Sequence, residues 1–176
     1  EIYEALAALG YREVGQEYLQ NVLDTAKQLD AYDSGRIYYY LGEYQKAYLA
    51  LDEARDKGGA DSYLYLGRAY AATGDYNYAS SVYNNYLSKQ GPNAEIYNEL
   101  GLCEMAKKEY QNALAAFQAG KQIEGNSLMQ TLCFNEIVAY EYLEDYQQAE
   151  VLMNAYLQNY PDDQTAIREQ QFLSTR

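Results

Sequence analysis

The sequence predicts an all-α protein made of repeated antiparallel helix pairs, and three observations carry that expectation. A six-residue pattern recurs four times at nearly one period. Small and large residues recur at fixed offsets from each copy. Only two prolines interrupt 176 residues, so long helices are permitted almost everywhere.

The pattern is Gly42-Glu43-Tyr44-Gln45-Lys46-Ala47, Gly74-Asp75-Tyr76-Asn77-Tyr78-Ala79, Lys108-Glu109-Tyr110-Gln111-Asn112-Ala113 and Glu144-Asp145-Tyr146-Gln147-Gln148-Ala149. Each copy reads acidic, Tyr, two variable residues, Ala, and the alanines are spaced 32, 34 and 36 residues apart. Twelve residues before each alanine stand Gly35, Gly67, Gly101 and Ile137; nine before stand Tyr38, Tyr70, Glu104 and Tyr140. Four after stand Leu51, Tyr83, Phe117 and Met153. Two helices approach closely only where facing residues are small, so the Gly of the first helix is expected to meet the Ala of the second. Large residues one turn away then interlock around that contact. The acidic residue is expected in the first turn of the second helix, facing the positive end of the helix dipole.

On these residues the chain resembles tetratricopeptide repeat proteins, whose unit is a helix–turn–helix of about 34 residues. The resemblance implies an α-α superhelix, a right-handed solenoid of antiparallel helix pairs. Taken in order, 1–27 reads as a degenerate first repeat, with Gly10-Tyr11-Arg12-Glu13-Val14-Gly15 as its decayed motif and Gly15 in the alanine slot. Its first helix (Ile2, Ala5, Leu6, Leu9) is cut short by the start of the chain at Glu1, which implies a lost preceding segment. Full repeats follow at 28–61, 60–93, 94–127 and 130–163, with breaks at Gly91-Pro92-Asn93 and Tyr160-Pro161-Asp162. The link between residues 22 and 32 has neither Gly nor Pro, which leaves the first boundary loosely defined. An amphipathic helix at 163–174, with Ala166, Ile167 and Leu173 inward, closes the array as a cap. Two departures stand out: Ile137 fills a slot meant for a small residue, so the last pair must open or shift register, and Glu104 replaces an aromatic residue.

Composition narrows the function. The net charge of −13 repels nucleic-acid phosphates and anionic lipid headgroups, and no basic run exceeds Lys107-Lys108. No apolar stretch reaches the about 20 residues of a membrane span. Histidine is absent, which removes the usual general base and the commonest metal ligand. Gly58-Gly59 and Gly120…Gly125 lack the Lys-Ser/Thr of a phosphate-binding loop. Paired carboxylates such as Asp162-Asp163 and Glu13/Glu17 read as solvated faces or caps. Cys103 and Cys133 read as free core thiols or as one bridge between neighbouring repeats. No catalytic residue, metal or cofactor is expected. The 23 tyrosines, beside 3 phenylalanines and no tryptophan, suit a thin protein whose seams need an apolar ring with a polar tip.

The family resemblance implies a non-catalytic scaffold that holds a protein or extended peptide in a concave groove lined by the first helices. The implied contact positions lie fifteen, eleven and eight residues before each alanine. They hold Tyr32, Arg36 and Tyr39; Leu64, Arg68 and Ala71; Asn98, Leu102 and Met105; and Phe134, Val138 and Glu141. Arg36 and Arg68 fall on equivalent positions of adjacent repeats. They either grip a carboxylate or backbone carbonyl of the partner, or pair with Asp33, Asp61 or Glu99. The chaperone-tail-binding subtype of the family is disfavoured, because the matching positions carry Tyr32, Arg36, Tyr65 and Asp61 rather than its Lys/Asn/Arg set. An alternative role is self-assembly through uncovered end helices, with weak self-association as its signature. The acidic, tyrosine-rich style is similar both to extracytoplasmic bacterial repeat lipoproteins and to cytoplasmic adaptors.

Overall fold

The tight turn inside each repeat decides where the chain doubles back. In the computed structural model, which describes residues 2–26, 28–55 and 59–176, every described secondary-structure element is helical. Glu1 and Gly58, named above, lie outside the described residues. The helices are α1 (Ile2–Ala8), α2 (Arg12–Thr25), α3 (Ala31–Tyr40), α4 (Tyr44–Ala54), α5 (Gly59–Ala72) and α6 (Tyr76–Gln90). They continue as α7 (Ala94–Ala106), α8 (Tyr110–Lys121), α9 (Met129–Tyr142), α10 (Tyr146–Asn159) and α11 (Gln164–Leu173). The chain falls into two compact units, Glu1–Val82 and Tyr83–Arg176, divided within α6.

After α3, Gly42 adopts φ +79°. This lets its N–H donate to the Tyr39 carbonyl (3.0 Å) and the Glu43 N–H to that of Tyr38 (2.9 Å). Two orphan carbonyls at the helix end are thereby satisfied in a Schellman turn. The same bond recurs from Asp75 to Tyr70, Glu109 to Glu104 and Asp145 to Tyr140, at 2.9–3.1 Å. Gly74 suits the left-handed slot, but Lys108 (φ 65°) and Glu144 (φ 60°) occupy it with a Cβ in a disfavoured conformation.

The acidic residue of the motif does not sit in the first turn of the second helix, as expected, but at the N-cap just before it. There chain length matters. The Asp75 and Asp145 carboxylates accept from the backbone N–H of Tyr78 and Gln148 (3.0 and 3.1 Å). Glu43 and Glu109, one methylene longer, make no such cap. Elsewhere the breaks behave as capped starts: Asn93 accepts from Glu95 and Ile96, and Asp163 from Thr165 and Ala166.

The space left by the missing Cβ of Gly35 is filled by Leu51, and that of Gly101 by Phe117, sixteen residues on in each case. A Cβ on Gly101 would lie 2.3 Å from Phe117 Cε1. The motif is therefore a small residue under a large one. In the last pair the sizes are redistributed: Ile137 and Met153 share one core with Ala149, Tyr156, Ala166 and Leu173. A cavity of about 330 Å³, lined by Ile137, Leu152 and Tyr156 among others, lies beside this pair.

Tyrosines form the seams between repeats. In the first unit Tyr48 of α4 stacks on Tyr70 of α5 (4.4 Å between centroids, 8° between planes), and Tyr70 in turn meets Tyr78 at 4.2 Å. In the second unit Tyr110 of α8 stacks on Tyr142 of α9 at 5.0 Å. Each stacked pair joins the second helix of one repeat to the first helix of the next, with the ring apolar and the hydroxyl free to reach polar surroundings.

Candidate functional site

Helical spacing places Tyr32 and Arg36 one turn apart on α3, and Tyr65 and Arg68 on the adjoining face of α5. Arg36 does not form an ion pair with Asp33 or Asp61 among the described residues. Its Cζ lies 5.3 Å from the Tyr32 ring centroid and 5.0 Å from that of Tyr65, and its Nε is buried without a hydrogen-bond acceptor. Arg68 approaches the same Tyr65 ring at 5.8 Å. The two guanidiniums thus flank one aromatic ring, an arrangement that holds flat cations in place by their attraction to the ring face. Asp61 is engaged by the Tyr32 hydroxyl at 3.2 Å. Burial, helped by the Asp61 carboxylate, pushes the Tyr32 phenol up to about 12, so it remains a neutral donor.

Tyr39 packs edge-on against Tyr40 and Tyr65 (5.5 and 5.4 Å). The Tyr40 and Tyr65 hydroxyls lie 2.5 Å apart. Tyr40 also donates to the Glu4 carboxylate of α1, which Tyr65 approaches at 3.5 Å. Below this cluster a cavity of about 410 Å³ opens between α1, α2 and α3, with Tyr18, Leu19, Val22, Ile37 and Arg36 in its wall. Tyr40, Tyr65 and Glu4 were absent from the implied contact positions. Their meeting joins α1, α3 and α5, a tertiary juxtaposition that no single helical period marks.

The remaining positions divide. Leu64 is only 3% exposed and Asn98 only 8%, so neither offers its side chain to an incoming molecule. Leu64 belongs to the core, and Asn98 is held by Asn135, whose amide donates to it at 2.9 Å. The stripe is one residue too wide there, because the first helices α5 and α7 are covered by neighbours on more of their circumference than a bare 3.6-residue spacing conveys. Met105 and Phe134, both in the second unit, are half-buried. Phe134 lines a shallow cavity of about 270 Å³ with Gln130, Asn135, Tyr156 and Asp163.

No group of three or more potential metal ligands occurs among the described residues, and no helix there is long and apolar enough to cross a membrane. Both cysteines are free thiols, and burial pushes Cys103 up to about 12, far from the thiolate form a nucleophile needs.

A tetratricopeptide repeat profile matches residues 32–77 and 66–126, together more than half of the chain. No curated protein matches. Among solved structures, the thermophilic TPR protein TTC0263 of Thermus thermophilus superposes with a TM-score of 0.75 at 17% identity, covering 99% of this chain and 96% of that one. A MamA structure (MSR-1) gives 0.64 at 21% identity, over 81% and 82%. The APC/C hetero-tetramer Cut9–Hcn1 gives 0.68 at 19% identity, over 97% of this chain and 34% of that one. With four motif copies, their shared turn and the matching profile, the chain belongs to the tetratricopeptide repeat family.

Proposed function

We propose that the protein is a non-catalytic adaptor that holds a protein or extended peptide segment on the first-helix face of its N-terminal unit, through Arg36, Arg68, Tyr32 and Tyr39. The observation that carries this reading is the pair of equivalent arginines gathered on one tyrosine ring in a chain of net charge −13. Two guanidiniums and several aromatic rings gathered on one face suit contact with a carboxylate, a backbone carbonyl or an apolar side chain of an incoming segment. Met105 and Phe134 are the contact residues proposed for the C-terminal unit. Leu64 and Asn98 support their surfaces from within. The test is capture of partners from the native host by the parent and by an Arg36→Ala/Arg68→Ala variant, with folding checked by circular dichroism. A captured band lost in the variant supports the face; an unchanged set removes both arginines from it.

A second reading, self-assembly through the N-terminal helices, draws on one observation. Ile2, Leu9, Tyr11, Val14 and Tyr18 of this region are 45–72% exposed. Mass measured by light scattering across a hundred-fold concentration range decides it: a constant monomer mass excludes this reading.

A further inference from the structure

We propose that Tyr48 and Tyr70 are an oxidative cross-linking site, where loss of one electron from each phenol joins the two rings and staples α4 to α5. Neither residue is among the proposed contacts of the adaptor face, so partner binding and cross-linking are separable.

Geometry and composition converge on this pair. The rings lie 4.4 Å apart and within 8° of parallel, one on the second helix of a repeat and the other on the first helix of the next. Both side chains are half-buried, so a small oxidant reaches them and each ring can turn about its side-chain bonds. Residues 1–82 contain no cysteine, methionine, tryptophan or histidine. An oxidising equivalent that enters this unit therefore has only tyrosine to settle on. The other stacked pair, Tyr110 and Tyr142, is wider and less parallel, at 5.0 Å and 29°. Its unit also holds both cysteines and all three methionines, whose sulfurs compete for oxidant.

Each phenol gives one electron to a diffusing one-electron oxidant and its hydroxyl proton to water. Burial, and then the nearby Tyr78 phenol and Asp52 carboxylate, push Tyr70 up to about 12, so its proton leaves with the electron rather than before it. The unpaired electron of each radical spreads over the oxygen and the ring carbons beside it, the Cε atoms. A Cε of Tyr48 and a Cε of Tyr70 then share their unpaired electrons in one new bond. Each bonded carbon passes its hydrogen, as a proton, through water to the oxygen of its own ring, which restores both phenols. The sum is two electrons and two protons lost from the chain, and two equivalents of oxidant reduced. Stacking matters because each radical meets its partner within one chain instead of by diffusion. The closed loop then restricts the unfolded chain, as a disulfide does.

The experiment uses the full chain and photogenerated tris(bipyridyl)ruthenium(III), an outer-sphere one-electron oxidant, with persulfate as the electron acceptor. Peptide mapping of the monomer should find Tyr48 joined to Tyr70 as its main intrachain link, at a yield unchanged by about ten-fold dilution. Tyr48→Phe and Tyr70→Phe keep a ring in the stack but lose the phenol, so each should stay folded by circular dichroism and lose that link. Tyr78 also meets Tyr70, at 4.2 Å, and Tyr78→Phe should keep the link. Unfolding in urea before oxidation should lower the yield about ten-fold, because the rings are no longer held together. The linked monomer should unfold at a midpoint roughly 5–10 °C above that of the parent. A main link elsewhere in the chain, linking only between chains, an equal yield from the urea-unfolded chain, or an unshifted midpoint overturns the proposal.

Discussion

Gly101→Ala tests the packing rule most directly. The new Cβ would sit 2.3, 2.6 and 2.7 Å from Phe117 Cε1, Cδ1 and Cζ, and Phe117 is fully buried. Ordinary carbon contacts begin near 3.5 Å, so ring or backbone must move by about 1 Å. Overpacking of this kind costs about 1–3 kcal/mol. Against it, Ala gains about 1 kcal/mol over Gly in a helix interior. The net expectation is destabilisation by up to about 2 kcal/mol, a fall in Tm of up to roughly 8 °C for a chain of this length. Circular dichroism during thermal and urea unfolding measures it. The decisive variant is Gly101→Ala/Phe117→Met, which moves the pair toward the Ile137/Met153 combination of the last repeat. A thin, flexible thioether can bend around the added methyl, so the double variant should be more stable than the sum of the single effects predicts, by about 1 kcal/mol. A stabilised Gly101→Ala, or strict additivity in the double variant, refutes the reasoning.

Three further outcomes follow from features described above. Lys108→Gly and Glu144→Gly should each stabilise the fold by up to about 1 kcal/mol, because glycine enters the left-handed slot without strain; equal or lower unfolding midpoints count against this. Glu141 has its carboxyl pushed up to about 7 by burial and then by the neighbouring Glu169. Its native state therefore binds a proton that the unfolded state has already lost, and stability should decline as pH rises from about 4.5 to 7. Partial solvent screening reduces the effect to about 1 kcal/mol, and Glu141→Gln should flatten the pH profile in that window and stabilise the chain at pH 8. Finally, Glu136 is 5% exposed and bonded to both Lys121 and Gln118. Lys121→Met should cost about 3 kcal/mol by leaving a buried carboxylate without its cation, and a midpoint within error of the parent contradicts that.

The helix pairs were legible because a solenoid writes its contacts into neighbouring repeats, so a local pattern and a global one coincide. The alanine spacing located α4, α6, α8 and α10, and the caps at Asn93 and Asp163 follow from residue type alone. Two local details were not legible. Whether the acid of the motif caps its helix depends on the reach of Asp against Glu, and what fills the space over Gly101 depends on the inclination of two helices. Site residues fared less evenly. Arg36 and Arg68 lie on one face as a 3.6-residue spacing requires, whereas Leu64 and Asn98 are covered by neighbours that sequence spacing does not reveal. The Glu4–Tyr40–Tyr65 cluster joins residues up to 61 positions apart, and no period in the sequence links them.

The stacked tyrosines have an optical consequence. With no tryptophan in the chain, the near-ultraviolet signal belongs almost wholly to phenols. Rings held at 4.4 Å and nearly parallel couple their electronic transitions, and the coupling vanishes once the two helices part. Tyr48–Tyr70 therefore reports on the N-terminal unit and Tyr110–Tyr142 on the C-terminal one. Replacing one member of either pair with leucine silences that reporter. Melting curves of the two silenced chains, recorded without any added label, then reveal whether the halves of the protein come apart together or in turn.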